Sequence, residues 1–124
     1  MRQPVSTLAA VLTGLAGASA VAFGAFGAHA LRGVVDADGL AIWHTGVEYH
    51  FWHALALFAA VVGLPPGRAR NATLLLFGAG TVVFSGSLYA LALGAPRWFG
   101  AITPIGGVAF IAGWIATALS LRKS

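Results

Sequence analysis

The sequence has no cysteine and very little charge. Without thiols there can be no disulfide, no thiolate metal site and no iron–sulfur cluster. Acidic residues number only three, and all charged residues together make up 8% of the 124 positions. A soluble domain carries about 25%, so this chain cannot clothe a water-facing surface. Clustered basic charge is also missing. The seven Lys and Arg stand singly or in pairs at segment ends, whereas nucleic-acid binding gathers them on one stripe or patch. The pI near 10.8 therefore does not indicate a nucleic-acid partner. Catalytic signatures are absent too. There is no intramembrane carboxylate pair, no nucleophile beside a base and no dinucleotide fingerprint. Ser85-Gly86-Ser87 lacks the strand-to-helix context of a nucleophile elbow. No enzyme is legible, and no cofactor is expected.

What is present is apolar sequence. Hydrophobic residues make up 59% of the chain, and the mean hydropathy is +0.88. A chain this short cannot bury so much in one core, which implies an integral membrane protein with the lipid bilayer as its partner. Four long apolar segments emerge, at about 5–30, 43–64, 71–93 and 103–121. Each has roughly the ~20 residues that cross a ~30 Å hydrocarbon core as a helix. They are too long, and too rich in Ala and Leu, for barrel strands. The first resembles a signal peptide through Arg2 and Ala28-His29-Ala30. Its apolar run exceeds the ~7–15 residues of a signal core, so it is expected to be a true helix.

The connections are short. Asp36 or Asp38 is a candidate cap for a helical lead-in to the second segment, Asn71 for the third, and Thr103-Pro104 opens the fourth. Short loops make neighbours antiparallel, giving an all-α, up-down-up-down four-helix bundle in a single domain. Arg2, Arg68, Arg70, Arg122 and Lys123 fall on one side, Arg32 and Arg97 on the other. The positive-inside rule then puts both termini in the cytoplasm, in a plasma (inner) membrane protein.

The functional clue is the stretch Trp43 to Phe58. It holds three of the four histidines, two of the four tryptophans and Glu48, at the mouth of a membrane helix. Such groups are costly in a bilayer and usually have partners or work to do. At 100° per residue, His50 and His53 share a face with Gly46 and Leu57. His44, Glu48 and Leu55 lie roughly opposite. His29, Ser85 and Tyr89 fall on the same outer side. His53 is expected to bond His29, Ser85 or Tyr89, while Trp43, Tyr49 and Trp52 form an interfacial belt. Metal or haem ligation and a proton path compete with a structural role for this cluster. No metal-binding motif is recognised.

Small residues suggest association. The first helix carries two rows, Ala10-Gly14-Ala18-Ala22 and Ala20-Gly24-Ala28. One neighbour covers only about one row, so a homo-oligomer or another membrane-protein partner is expected through Gly14 or Gly24.

Four ordered motifs also carry a resemblance: 23–31 (FGAFGAHAL), 49–57 (YHFWHALAL), 84–89 (FSGSLY) and 102–107 (ITPIGG). Together they resemble domain-of-unknown-function family 423, small bacterial inner-membrane proteins with a small eukaryotic transmembrane relative. The resemblance implies four transmembrane helices in a plasma membrane and no assigned activity. His29, His53, Ser85, Gly86, Tyr89, Thr103, Pro104 and Gly106 fall on its motif positions. His50 and Glu48 depart from it, the family often having Gln and an uncharged residue there, which favours a site on His29 and His53. An accessory or packing subunit is the leading expectation. A ligand-binding protein or transporter with a polar His/Tyr site is second, and a haem or metal protein third.

Overall fold

A computed structural model describes residues 5–122. Arg2 and Lys123, used above for orientation, lie outside them. Helix α1 spans Thr7–His29, α2 Ala37–Gly63, α3 Arg68–Ala92 and α4 Thr103–Arg122. A 3₁₀ turn, Arg97–Ala101, leads into α4. Among the described residues there is no strand, only an isolated bridge between Arg32 and Val35. Three stretches, Thr7–His29, Arg68–Ala92 and Arg97–Arg122, are long and apolar enough to cross a membrane. Helix α2 is long enough, but its first half carries Asp38, His44, Glu48 and His50.

Local chemistry sets the boundaries. Ser6 accepts from the Ala9 amide at 3.1 Å and caps α1. Asp36 Oδ1 accepts from the Gly39 amide at 2.8 Å. This cap makes the polar lead-in continuous with α2, which starts six residues before Trp43. Asn71 is not a cap. Helix α3 begins at Arg68, and Gly67 precedes it at φ 153°, a conformation glycine adopts readily. Pro65 and Pro66 keep α2 from continuing into that turn.

Helix α3 is not uniform. It is α-helical over Arg68–Gly80, π-helical over Thr81–Ser85 and α-helical again over Gly86–Ala92. A π turn inserts one residue and rotates the rest of the helix relative to its start, often at functional sites. Here Ser85 lies within the turn, and its hydroxyl donates to the Gly46 carbonyl of α2 at 2.7 Å.

Packing is uneven. Helices α3 and α4 approach closely because Gly80, Gly106 and Gly113 leave room for Phe110, Phe84 and Phe77 respectively. Gly46 does the same for Tyr89, and Gly27 for the Trp43 indole. Leu57, Phe77 and Phe110 form the central core. Leu31, Trp43 and Ala92 form a second cluster near the His29 end. Helix α1 packs closely on α2 alone, so the bundle is open between α1 and α3.

The two small-residue rows of α1 part company. Ala20 is fully buried and Gly24 faces Val47 of α2, while Ala10, Gly14, Ala18 and Ala22 are exposed. Gly24 is therefore an internal packing residue and not part of an external face. Trp43, at 3% exposure, and half-buried Tyr49 are core aromatics. This corrects the interfacial belt expected of them. Only Trp52 of that trio is exposed.

Candidate functional site

The opening between α1 and α3 is a lateral groove of about 650 Å³. Its walls are apolar, with Leu8, Leu12 and Leu15 on α1 and Leu75 and Val82 on α3. All five are exposed. Along α1 the lining runs from Leu8 to Phe23, about 22 Å at 1.5 Å per residue. Gly78 and Gly86 line the α3 side, and a Cβ on either meets nothing within 4 Å.

The floor is polar. His50 is 4% exposed and both ring nitrogens have partners. Nε2 stands 3.1 Å from the Ala16 carbonyl and 3.0 Å from Ser19 Oγ. Nδ1 stands 2.8 Å from the Tyr89 hydroxyl. A carbonyl only accepts, so Nε2 carries the proton and Nδ1 accepts from Tyr89. The Phe23 ring closes over Tyr89 edge-on at 4.9 Å. Ser19, His50 and Tyr89 thus tie α1, α2 and α3 together along one edge of the groove.

His53 turns the other way, although it also edges the groove. Its Nδ1 donates to the Tyr49 carbonyl at 2.8 Å, and its Nε2 accepts from the Trp114 indole of α4 at 3.2 Å. The imidazole stacks on Phe110 with centroids 3.6 Å apart. The expected partners of His53, namely His29, Ser85 and Tyr89, are engaged elsewhere or distant. Ser85 bonds Gly46, Tyr89 bonds His50, and His29 ends α1 exposed. The reason is angular. Three residues of helix rotate 300°, so His50 and His53 diverge by about 60°, enough to face different neighbours.

His44 and Glu48 lie on the exposed face of α2, opposite His50 and Leu57. The structure therefore brings together only Ser19, His50 and Tyr89, with His53 and Ser85 nearby on other partners. His29, His44 and Glu48 do not join them. Among the described residues no three His, Asp or Glu side chains stand close enough to share a metal ion.

At the end of the groove near Ser6 and Asn71 stands Arg70. Its Nη2 donates to the Val61 carbonyl, in the last turn of α2, at 3.0 Å. Its Nε is buried without an acceptor. Sequence reasoning took Arg70 only as a topology signal and did not single out Ser19 or Trp114. An indole N–H at membrane depth needs an acceptor, which was the one available pointer to Trp114. Nothing in the sequence pointed to Ser19.

The family's sequence model, described as "Protein of unknown function (DUF423)", matches residues 23–107. Of the groove floor, Phe23, His50 and Tyr89 lie inside that span, and Ser19 lies outside it. The "UPF0382 membrane protein YwdK" of Bacillus subtilis is 47% identical over 110 residues, covering 84% of this chain and 87% of the relative. A "UPF0382 membrane protein" of Haemophilus influenzae is 40% identical over 114 residues, 91% of this chain and 92% of the relative. The "UPF0382 inner membrane protein YgdD" of Escherichia coli is 38% identical over 122 residues, 91% and 90% of the two chains. No solved structure matches. Apolar helices, a family model covering more than half of the chain and near full-length relatives agree, and the chain belongs to this DUF423 family of small membrane proteins.

Proposed function

We propose that the protein is a non-enzymatic binding protein of the plasma membrane that holds an amphipathic guest, taken laterally from the bilayer, between α1 and α3. The observation that carries this reading is the 650 Å³ groove with apolar walls and the Ser19–His50–Tyr89 edge. Binding sites for small molecules have this form: concave, mostly apolar, with a few placed polar groups. Both imidazoles are saturated by protein partners, which supports a role in holding the groove's shape over metal ligation. In this reading all four helices span the bilayer, and both termini are cytoplasmic by the five-to-two distribution of Lys and Arg.

The test is photolabelling in membranes with a phospholipid bearing a diazirine on its acyl chain. Labels are expected to concentrate on Leu12, Leu75 and Val82 and to fall when Gly78 is replaced by Trp. Labelling spread evenly over the outward faces of all helices overturns the reading.

A second reading has its own observation. The row Ala10-Gly14-Ala18-Ala22 is exposed on the side of α1 away from the groove, and Gly14 has open space around it. Small-residue rows let membrane helices approach closely. The protein then also self-associates, or joins a larger membrane complex, through that row.

A further inference from the structure

We infer that the groove's guest is an anionic phospholipid, its phosphate held by Arg70 and its acyl chain lying along the groove toward Tyr89. This rests on the groove reading above and goes beyond it by naming the ligand class.

Charge carries the argument. Arg70 lines the groove and also a second hollow of about 220 Å³ formed by Pro65, Pro66, Arg68 and Ser120. The guanidinium thus stands between an apolar channel and a small, more polar one, as an anchor between acyl chain and headgroup must. No acidic side chain balances it. The three acids are Asp36, Asp38 and Glu48. Glu48 lies thirteen residues before Val61 on α2, about 20 Å at 1.5 Å per residue, and the aspartates are farther still. Arg70 makes one bond, to the Val61 carbonyl, and its buried Nε has no acceptor. A buried donor without an acceptor is costly, more so on a charged group. A phosphate against the accessible part of the guanidinium supplies the missing negative charge and a strong charge-assisted acceptor. Basic pockets between membrane helices take anionic lipid headgroups in this way. A zwitterionic headgroup carries no net charge and leaves the site unbalanced.

The experiment uses the full chain, purified in mild detergent and offered equal amounts of phosphatidylglycerol and phosphatidylcholine with identical acyl chains. Native mass spectrometry counts the lipid adducts. Phosphatidylglycerol adducts are expected to outnumber phosphatidylcholine adducts by about fivefold or more, the factor one basic residue supplies near a membrane surface. Arg70→Gln abolishes this preference but keeps a lipid bound, and Arg70→Lys restores part of it. Gly78→Trp, at a position where a Cβ meets no protein atom within 4 Å, removes both lipids. A thermal melt of each variant confirms that it is folded. Equal adducts on the parent protein, lost together in Gly78→Trp, overturn the headgroup assignment and leave the groove reading intact. Adducts indifferent to Gly78→Trp overturn both. A dimer broken up by Gly78→Trp also overturns both, because the occupant is then a second copy of the chain.

Discussion

At the residue scale, two histidines one turn apart reach the same end by opposite means. His50 carries its proton on Nε2 and accepts at Nδ1, while His53 carries it on Nδ1 and accepts at Nε2. A neutral imidazole has one donor and one acceptor, and here each is matched. Such bonds are worth little singly in a membrane, about 0.6 kcal/mol on average, because the unfolded chain also finds partners. A double-mutant cycle of His53→Leu and Trp114→Phe, followed by unfolding in detergent, is therefore expected to give a coupling of about 0.5–1 kcal/mol. Exposed His29, His44 and Glu48 should each tolerate alanine within about 0.5 kcal/mol. The wheel drawn from the sequence separated these classes for α2: Gly46, His50, His53 and Leu57 are buried, and His44, Glu48 and Leu55 are not. It did not assign partners. Those depend on which helix stands against each 60° sector, and spacing within one helix carries no such information.

At the element scale, four apolar segments were legible because length and hydropathy are local properties. The ends were legible where a side chain caps, as at Asp36, and misread at Asn71, where glycine geometry at Gly67 sets the start. The π turn at Thr81–Ser85 leaves no mark in composition, since it arises from fitting α3 against α2 and α4. Glycines divide into two sets. Gly27 and Gly46 are pressed by Trp43 and Tyr89, with a Cβ on Gly46 only 2.8 Å from the Tyr89 ring. Gly27→Val or Gly46→Leu is expected to cost about 1–3 kcal/mol by overpacking. Gly14→Leu and Gly78→Leu, with nothing within 4 Å, should leave the melting temperature unchanged or raised, since leucine favours helix over glycine. Thermal melts of the four variants separate the sets.

At the scale of the whole molecule, hydropathy stops being informative. In lipid every outward face is apolar, so an apolar face does not say whether protein or bilayer covers it. That is why the four-helix bundle was legible and its opening between α1 and α3, with α1 packed closely on α2 alone, was not. Orientation rests on charge. A reporter active only in the cytoplasm, fused after Ser124, is expected to be active, and a periplasm-only reporter silent there. Gly14→Leu is expected to reduce any self-association without altering lipid retention, because its row lies away from the groove. Native mass spectrometry reads both quantities in one experiment. The central claim, that the space between α1 and α3 belongs to a guest from the bilayer, is met most directly by determining the structure in a lipid nanodisc containing phosphatidylglycerol. The account predicts an extended density between Leu12 and Leu75 that ends in a headgroup at Arg70. Helix α1 closed onto α3, with Leu12 in contact with Leu75 and no density between them, would contradict it.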